Sequence, residues 1–227
     1  MTVLGKGAMV FWHDIQGDEL DYNHWHGFEH MPERVAIEGF HRGRRYLALE
    51  GGPRYFNMYE TEAPATLTSK AYLDRLNDPT PWTTASLGKF LNSNRTLCRV
   101  GASFGKGLGG VLMTLQLAPA EGRVAELRAW LAESLLADLV TRPQIVGAHL
   151  LEGDPEASRM ETAEKSLRDE PDEVADWVVL VEAMAAEPLD ALRQAELSDA
   201  SLTEHGAGEI QNVAVYSLLH VLSEREL

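Results

Sequence analysis

The chain of 227 residues carries a formal net charge of −15 and is 44% hydrophobic, so it has the apolar content for a core and too few basic groups to take a nucleic acid as its main partner. A single cysteine, Cys98, excludes an intrachain disulfide and points to a reducing compartment. No apolar run approaches the ~20 residues that span a bilayer and the N-terminus lacks a signal peptide's pattern, so a cytoplasmic protein with no membrane partner is expected.

Residues 8–13 form an apolar, aromatic run that reads as a strand, broken at Gly17. A helix is expected from Asp18 to His30, with Leu20, His24, Phe28 and Met31 on one stripe and Pro32 ending or kinking it. Residues 39–50 and 54–60 read as a hairpin joined by Gly51-Gly52-Pro53. Helices are expected at 64–76 and 82–91, and a strand at 95–104. The order is β-α-β-β-α-β. Four glycines between 105 and 110 make a linker, and the order begins again: strand 111–117, helix 121–140, strand 145–152, strand 176–182, helix 188–197 and strand 210–222. Residues 153–173 are acidic and polar and read as an exposed loop.

Leu49-Glu50-Gly51-Gly52-Pro53 matches Leu151-Glu152-Gly153-Asp154-Pro155, which marks an internal duplication. The expected fold is α+β: two tandem ferredoxin-like units, 1–106 and 107–227, packing sheet to sheet as a pseudo-symmetric barrel. One unit covers the bare sheet face of the other, so a monomer with an internal pseudo-dimer, or a homodimer, satisfies both. The Leu-Glu-Gly match sets His24 opposite Glu126, Glu29 opposite Leu131, and Arg44 and Arg45 opposite Val146 and Gly147. One copy is polar where the other is ordinary core, which predicts a single pocket in the first unit.

The run Trp25-His26-Gly27-Phe28-Glu29-His30-Met31-Pro32-Glu33, followed by Gly39-Phe40 and Arg44-Arg45-Tyr46, resembles the EthD-like branch of the dimeric α+β barrel superfamily. In that branch a proline stands where this chain has Glu38. The resemblance covers the first unit; the second fits the element order and lacks the motif. It implies a pocket between sheet and helices and carries over to Glu29 and His30. Superfamily activities include cofactor-free oxygenases, isomerases, dehydratases, cyclases and haem enzymes.

The stretch Asp21 to Arg34 holds the chain's densest set of proton-moving groups. His24 lies in the apolar stripe and is expected to face the sheet, where burial would lower its pKa and suit it to act as a base. The rival reading is a core histidine bonded to a backbone carbonyl. His26, Glu29 and His30 join it as catalytic candidates, Glu29 and His30 as acid or orienter. His26 and His30, four apart, could instead hold a metal, although the His-Glu-x-x-His arrangement is missing. Substrate contacts are expected from His13, Trp25, Arg44, Tyr46, Tyr55, Asn57 and Tyr59. Strand alternation puts Arg44 and Tyr46 on one side and Arg45 on the other; the first pair is taken to line the pocket, with Arg44 holding an anionic group. No dinucleotide or phosphate-loop signature is present, so no organic cofactor is called for. The expectation is histidine-based acid/base chemistry (lyase, dehydratase, decarboxylase or isomerase) on a small carbonyl or carboxylate substrate. A metal- or haem-dependent enzyme and a non-catalytic small-ligand-binding protein are the alternatives.

Overall fold

A computed structural model describes residues 3–168 and 170–227. Eight antiparallel strands close into one barrel in the order β1-β3-β2-β8-β5-β7-β6-β4. In the first half, β1 (Gly7–Ile15), β2 (Phe40–Glu50), β3 (Tyr55–Thr61) and β4 (Phe90–Gly105) alternate with helices as the ferredoxin-like order requires, with α3 (Lys70–Asn77) and α4 (Pro81–Leu87) between β3 and β4. The second half repeats this with β5 (Val111–Pro119), β6 (Ile145–Gly153), β7 (Trp177–Ala183) and β8 (Ala207–Ser223). The fold is therefore a tandem-duplicated dimeric α+β barrel.

The two sheets do more than lie face to face. The long strands β4 and β8 cross between halves: β4 pairs with β1 and with β6, and β8 with β2 and with β5. This leaves no unpaired sheet edge, the usual point of unwanted association. Strand alternation sorts the side chains. Ala8, Val10, Trp12, Phe56 and Met58 point into the barrel, while Met9, Phe11, Tyr55 and Tyr59 point outward under the first-half helices.

The histidine-bearing segment forms one continuous helix, α1 (Glu19–Trp25) and α2 (Met31–Val35) joined by a π-helical turn at His26–His30. Asp18 caps its start by accepting from the Leu20 and Asp21 amides. Of the expected end or kink at Pro32, the end does not occur, and the irregularity is a π-helical turn just before it. The amide of Met31 reaches back five residues to His26, and the widened turn lets Pro32 open α2 rather than break it. The second half has the same π turn at Trp130–Leu135 between α5 (Val124–Ala129) and α6 (Leu136–Leu139) without any proline, so the turn belongs to the fold.

The repeat register also differs from the Leu-Glu-Gly match. Gly43 faces Tyr59 across β2–β3 as Ala148 faces Val181 across β6–β7. Arg44 is thus equivalent to His149, and Arg45 to Leu150. The tripeptide match misleads because β2 has 11 residues and β6 has 9, so the strand ends are not equivalent. Carried back through Phe40 and Ile145, this register sets Tyr22, His26, His30 and Arg34 opposite Leu127, Leu131, Leu135 and Leu139, all four leucines being buried core.

Candidate active site

The layer between the first-half helix and its sheet is built from aromatic and titratable groups. His13 on β1 is fully buried and stacks on Phe90 with ring centres 4.2 Å apart. Its Nδ1–H donates to the Asp14 carbonyl at 3.2 Å, which leaves Nε2 to accept from the Tyr22 hydroxyl at 2.9 Å and the Asn57 amide at 3.1 Å. Burial, assisted by the charges of Arg45 and Arg168, lowers its pKa to about 3, so the ring is neutral. With both nitrogens used, His13 orients Tyr22 and Asn57 and has no lone pair left to take a proton.

His26 and His30 differ. Both lie on the inner face, ring centres 5.4 Å apart, with Trp25 at 4.5 Å from His30. Each has a buried Nδ1 without a partner. Burial pushes both pKa values well down, with Arg45 adding to the effect at His26 and Arg34 at His30. Tyr59 Oη, Asn57 Oδ1, Arg34 Nη1 and Arg45 Nε in the same layer are likewise buried without partners. Each such group costs about 1–3 kcal/mol unless something completes it.

The remaining expected residues are placed as follows. His24 is exposed, and this corrects its inward assignment. Leu20 and Phe28, which defined its stripe, are 80% and 77% exposed. His24 packs edge-on against Phe28 and Trp82 at the surface. The true inner face runs through Tyr22, Trp25, His26, His30 and Arg34. The assignment of Arg44 and Tyr46 to the pocket is also corrected, because both point into the barrel. There Arg44 meets Glu60 at 2.8 Å and Glu182 at 2.7 Å, and donates to the Tyr46 hydroxyl. Arg45 takes the position beneath the helix, its guanidinium 4.6 Å from the Tyr22 ring and 4.7 Å from that of Tyr55, and it donates to Asn23. Tyr55, Asn57 and Tyr59 do face the helix, buried. Glu29 accepts from Trp25 Nε1, Thr80 and Thr83, which ties the helix to α4 (Pro81–Leu87) and fixes the indole.

Sequence reasoning missed the arginines. Met9, Phe11, His30, Arg34, Arg95 and Arg168 line a cavity of about 20 Å³, room for a single water-sized group. Arg34 follows His26 and His30 at spacings of four, a signal present in the sequence once the inner face is known. Arg95 and Arg168 come from β4 and from the acidic segment, and no local pattern announces them.

That segment is not the exposed loop expected at 153–173. It carries two short helices, α7 (Pro155–Ser158) and α8 (Ala163–Ser166), and lies across the first half. Ser158 Oγ accepts from the Leu97 amide at 2.9 Å, and Glu164 pairs with Arg34 in the interior. Glu164 finds its partner at that interface, while Glu161 and Asp172 pair within the segment with Lys165 and Arg168.

Among the described residues, no three His, Cys, Asp or Glu side chains converge to hold a metal ion. Tyr22, Trp25, Phe90 and Tyr59 pack together in the layer between helix and sheet. Cys98 is buried and burial raises its thiol pKa, so it is an inert core group. Among the described residues, no helix is long and apolar enough to cross a membrane.

No protein-family model and no curated protein sequence matches the chain. Solved structures do. An anthrone oxidase-like protein aligns over 100% of this chain and 98% of its own at 12% identity with a TM-score of 0.66. A candidate monooxygenase from Fusobacterium nucleatum aligns over 96% and 95% at 7% identity, TM-score 0.62. Another from Lactobacillus acidophilus aligns over 96% and 97% at 9% identity, TM-score 0.61. At these identities the shared property is the fold, over essentially the whole duplicated chain.

Proposed function

We propose that the protein is a small-molecule enzyme of the dimeric α+β barrel type, with its site in the first-half layer. The reaction begins when His30, neutral and desolvated beside His26, removes a proton from an acidic C–H or O–H of a small carbonyl or aromatic compound. The anion that forms lies in a cationic layer, with Arg45 beside His26 and Arg34 beside His30. The observation that carries this reading is the set of unpartnered buried polar atoms at His26, His30, Arg34 and Tyr59, where the other half has Leu131, Leu135, Leu139 and Val181. A structural layer gains nothing from leaving them unsatisfied, whereas a ligand would complete them. The likeness of Trp25 to Glu33 to the EthD-like motif supports the same location.

A general base of this kind contributes about 10²–10⁴-fold. The test is a panel of phenols, 1,3-dicarbonyls and aromatic ketones, followed by absorbance and by proton exchange from solvent deuterium oxide. Turnover or exchange that disappears in His30→Gln supports the reading. Exchange that is unchanged in both His30→Gln and His26→Gln refutes it.

A second reading adds oxygen to the same carbanion. The aromatic lining by Trp25, Phe90 and Tyr59 favours it, and the names of the fold neighbours agree. An oxygen electrode separates the two: proton exchange that persists without oxygen, with product formed only in air, selects the oxygenase. Isomerised or eliminated product formed under nitrogen selects the lyase or isomerase class.

A further inference from the structure

The cavity beside His30 is positively charged and is closed from the other half of the chain. Arg34 is 1% exposed and Arg95 8% exposed. Arg95 donates to the Tyr72 hydroxyl at 2.9 Å, and Arg168 sits 5.2 Å from the Phe11 ring and pairs with Asp172. Glu164, 3% exposed, is the carboxylate on Arg34, and it engages one guanidinium nitrogen while Nη1 stays unpartnered. Three guanidinium groups therefore face two carboxylates around an apolar floor. Glu164 rides on the four-residue helix α8, in the insertion between β6 and β7.

We propose that Arg34 and Arg95 form a subsite for the carboxylate of a small aromatic acid, and that Glu164 on the inserted strap is its resident stand-in, displaced when substrate enters. This rests on the placement of the active site in the first-half layer and adds the class of substrate to it. Three features agree. A guanidinium with a free nitrogen can take a carboxylate through two parallel bonds, which Glu164 does not do here. The cavity of about 20 Å³ is too small for any substrate, so α8 has to lift for one to enter. The strap is anchored on both sides of α8. Before it, the Leu97 amide donates to Ser158 Oγ; after it, the Arg95 and Glu173 amides donate to the Glu173 and Ser93 carbonyls. At α8 itself the hydrogen bonds to the first half are the Arg34 pair and the Ala163 amide to Asn77 Oδ1 at 2.9 Å, and Leu167 rests against the first-half core.

The test uses the full chain and titration calorimetry with benzoate and 2-naphthoate, with benzamide as the neutral control. Glu164→Gln keeps an acceptor for Arg34 and removes the competing charge. It is expected to bind the two carboxylates roughly tenfold or more tighter than the wild type, with benzamide unchanged. Adding Arg95→Met to Glu164→Gln is expected to remove the gain, and circular dichroism checks that each variant is folded. Carboxylate affinity equal in Glu164→Gln and wild type, or an equal gain for benzamide, overturns the proposal. Because the readout is binding, a gain in affinity alongside unaltered exchange in His30→Gln would sink the catalytic assignment and leave the subsite standing.

Discussion

At the scale of the residue, three histidines on one helix have separate environments. His24 is solvated, His26 is buried and His30 half-buried, and loss of solvent holds the pKa of both inner imidazoles well down. If His30 is the base, His24→Ala should stay within about twofold of wild-type turnover, while His30→Gln loses about 10²–10⁴-fold; side-by-side kinetics on the first substrate found would check this. The buried histidines also set how stability depends on pH. Their folded pKa values lie below the unfolded 6.5, at about 3 for His13. The unfolded chain therefore binds protons that the folded chain does not as pH falls below about 6.5. Stability is full above that value and is lost as pH drops toward the folded values. Urea midpoints at pH 7.5 and 4.5 should show the drop, and His26→Leu, which installs the residue found at Leu131, should flatten it.

At the scale of the element, the helix from Glu19 to Val35 owes its inner face to the π turn, which rotates His30 and Arg34 into line with Tyr22 and His26. Gly27 lies in that turn, and a Cβ built there meets nothing within 4 Å. Gly27→Ala should therefore raise stability by about 0.5–1 kcal/mol by restricting the unfolded chain, read as a higher melting temperature. A periodicity argument from a regular helix put Leu20, His24, Phe28 and Met31 on one buried stripe, of which Met31 is buried and the other three are exposed. It failed because three exposed apolar or aromatic residues at that spacing look the same in sequence as a core face. The strands were more legible: the hairpin expected at residues 39–50 and 54–60 forms as β2 and β3. On β2 alternation separated Arg44 from Arg45 but could not say which side held the pocket.

At the scale of the whole molecule, the barrel interior holds a charged centre shared by the two halves. Arg44 reaches Glu60 and Glu182, and His149, the repeat equivalent of Arg44, approaches Glu182 at 3.1 Å. Burial by itself would raise the Glu182 pKa, but the charge of Arg44 and the bond to His149 outweigh it and hold the carboxyl well below the usual range. Arg44→Met would leave the buried Glu182 carboxylate without its guanidinium, while Glu60 keeps Arg42, so a loss of about 3–5 kcal/mol is expected in chemical denaturation, since one partner of a buried ion pair would remain uncompensated. That this arginine stabilises the barrel rather than a substrate follows only from closure of the sheet.

Sequence alone determined the α+β class, the duplication and the half that carries the polar helix. Those depend on hydrophobic period, turn residues and repeat order, which are local. Tertiary structure decided the rest: which face of that helix is buried, which of two adjacent arginines lies under it, and that an acidic insertion of the second half closes over the first. Each depends on which surfaces meet, through strand pairing between residues far apart in the chain, and burial and charge compensation are properties of that meeting. Arg34 next to His30 was visible as a spacing of four, but its Glu164 partner, 130 residues away, was not.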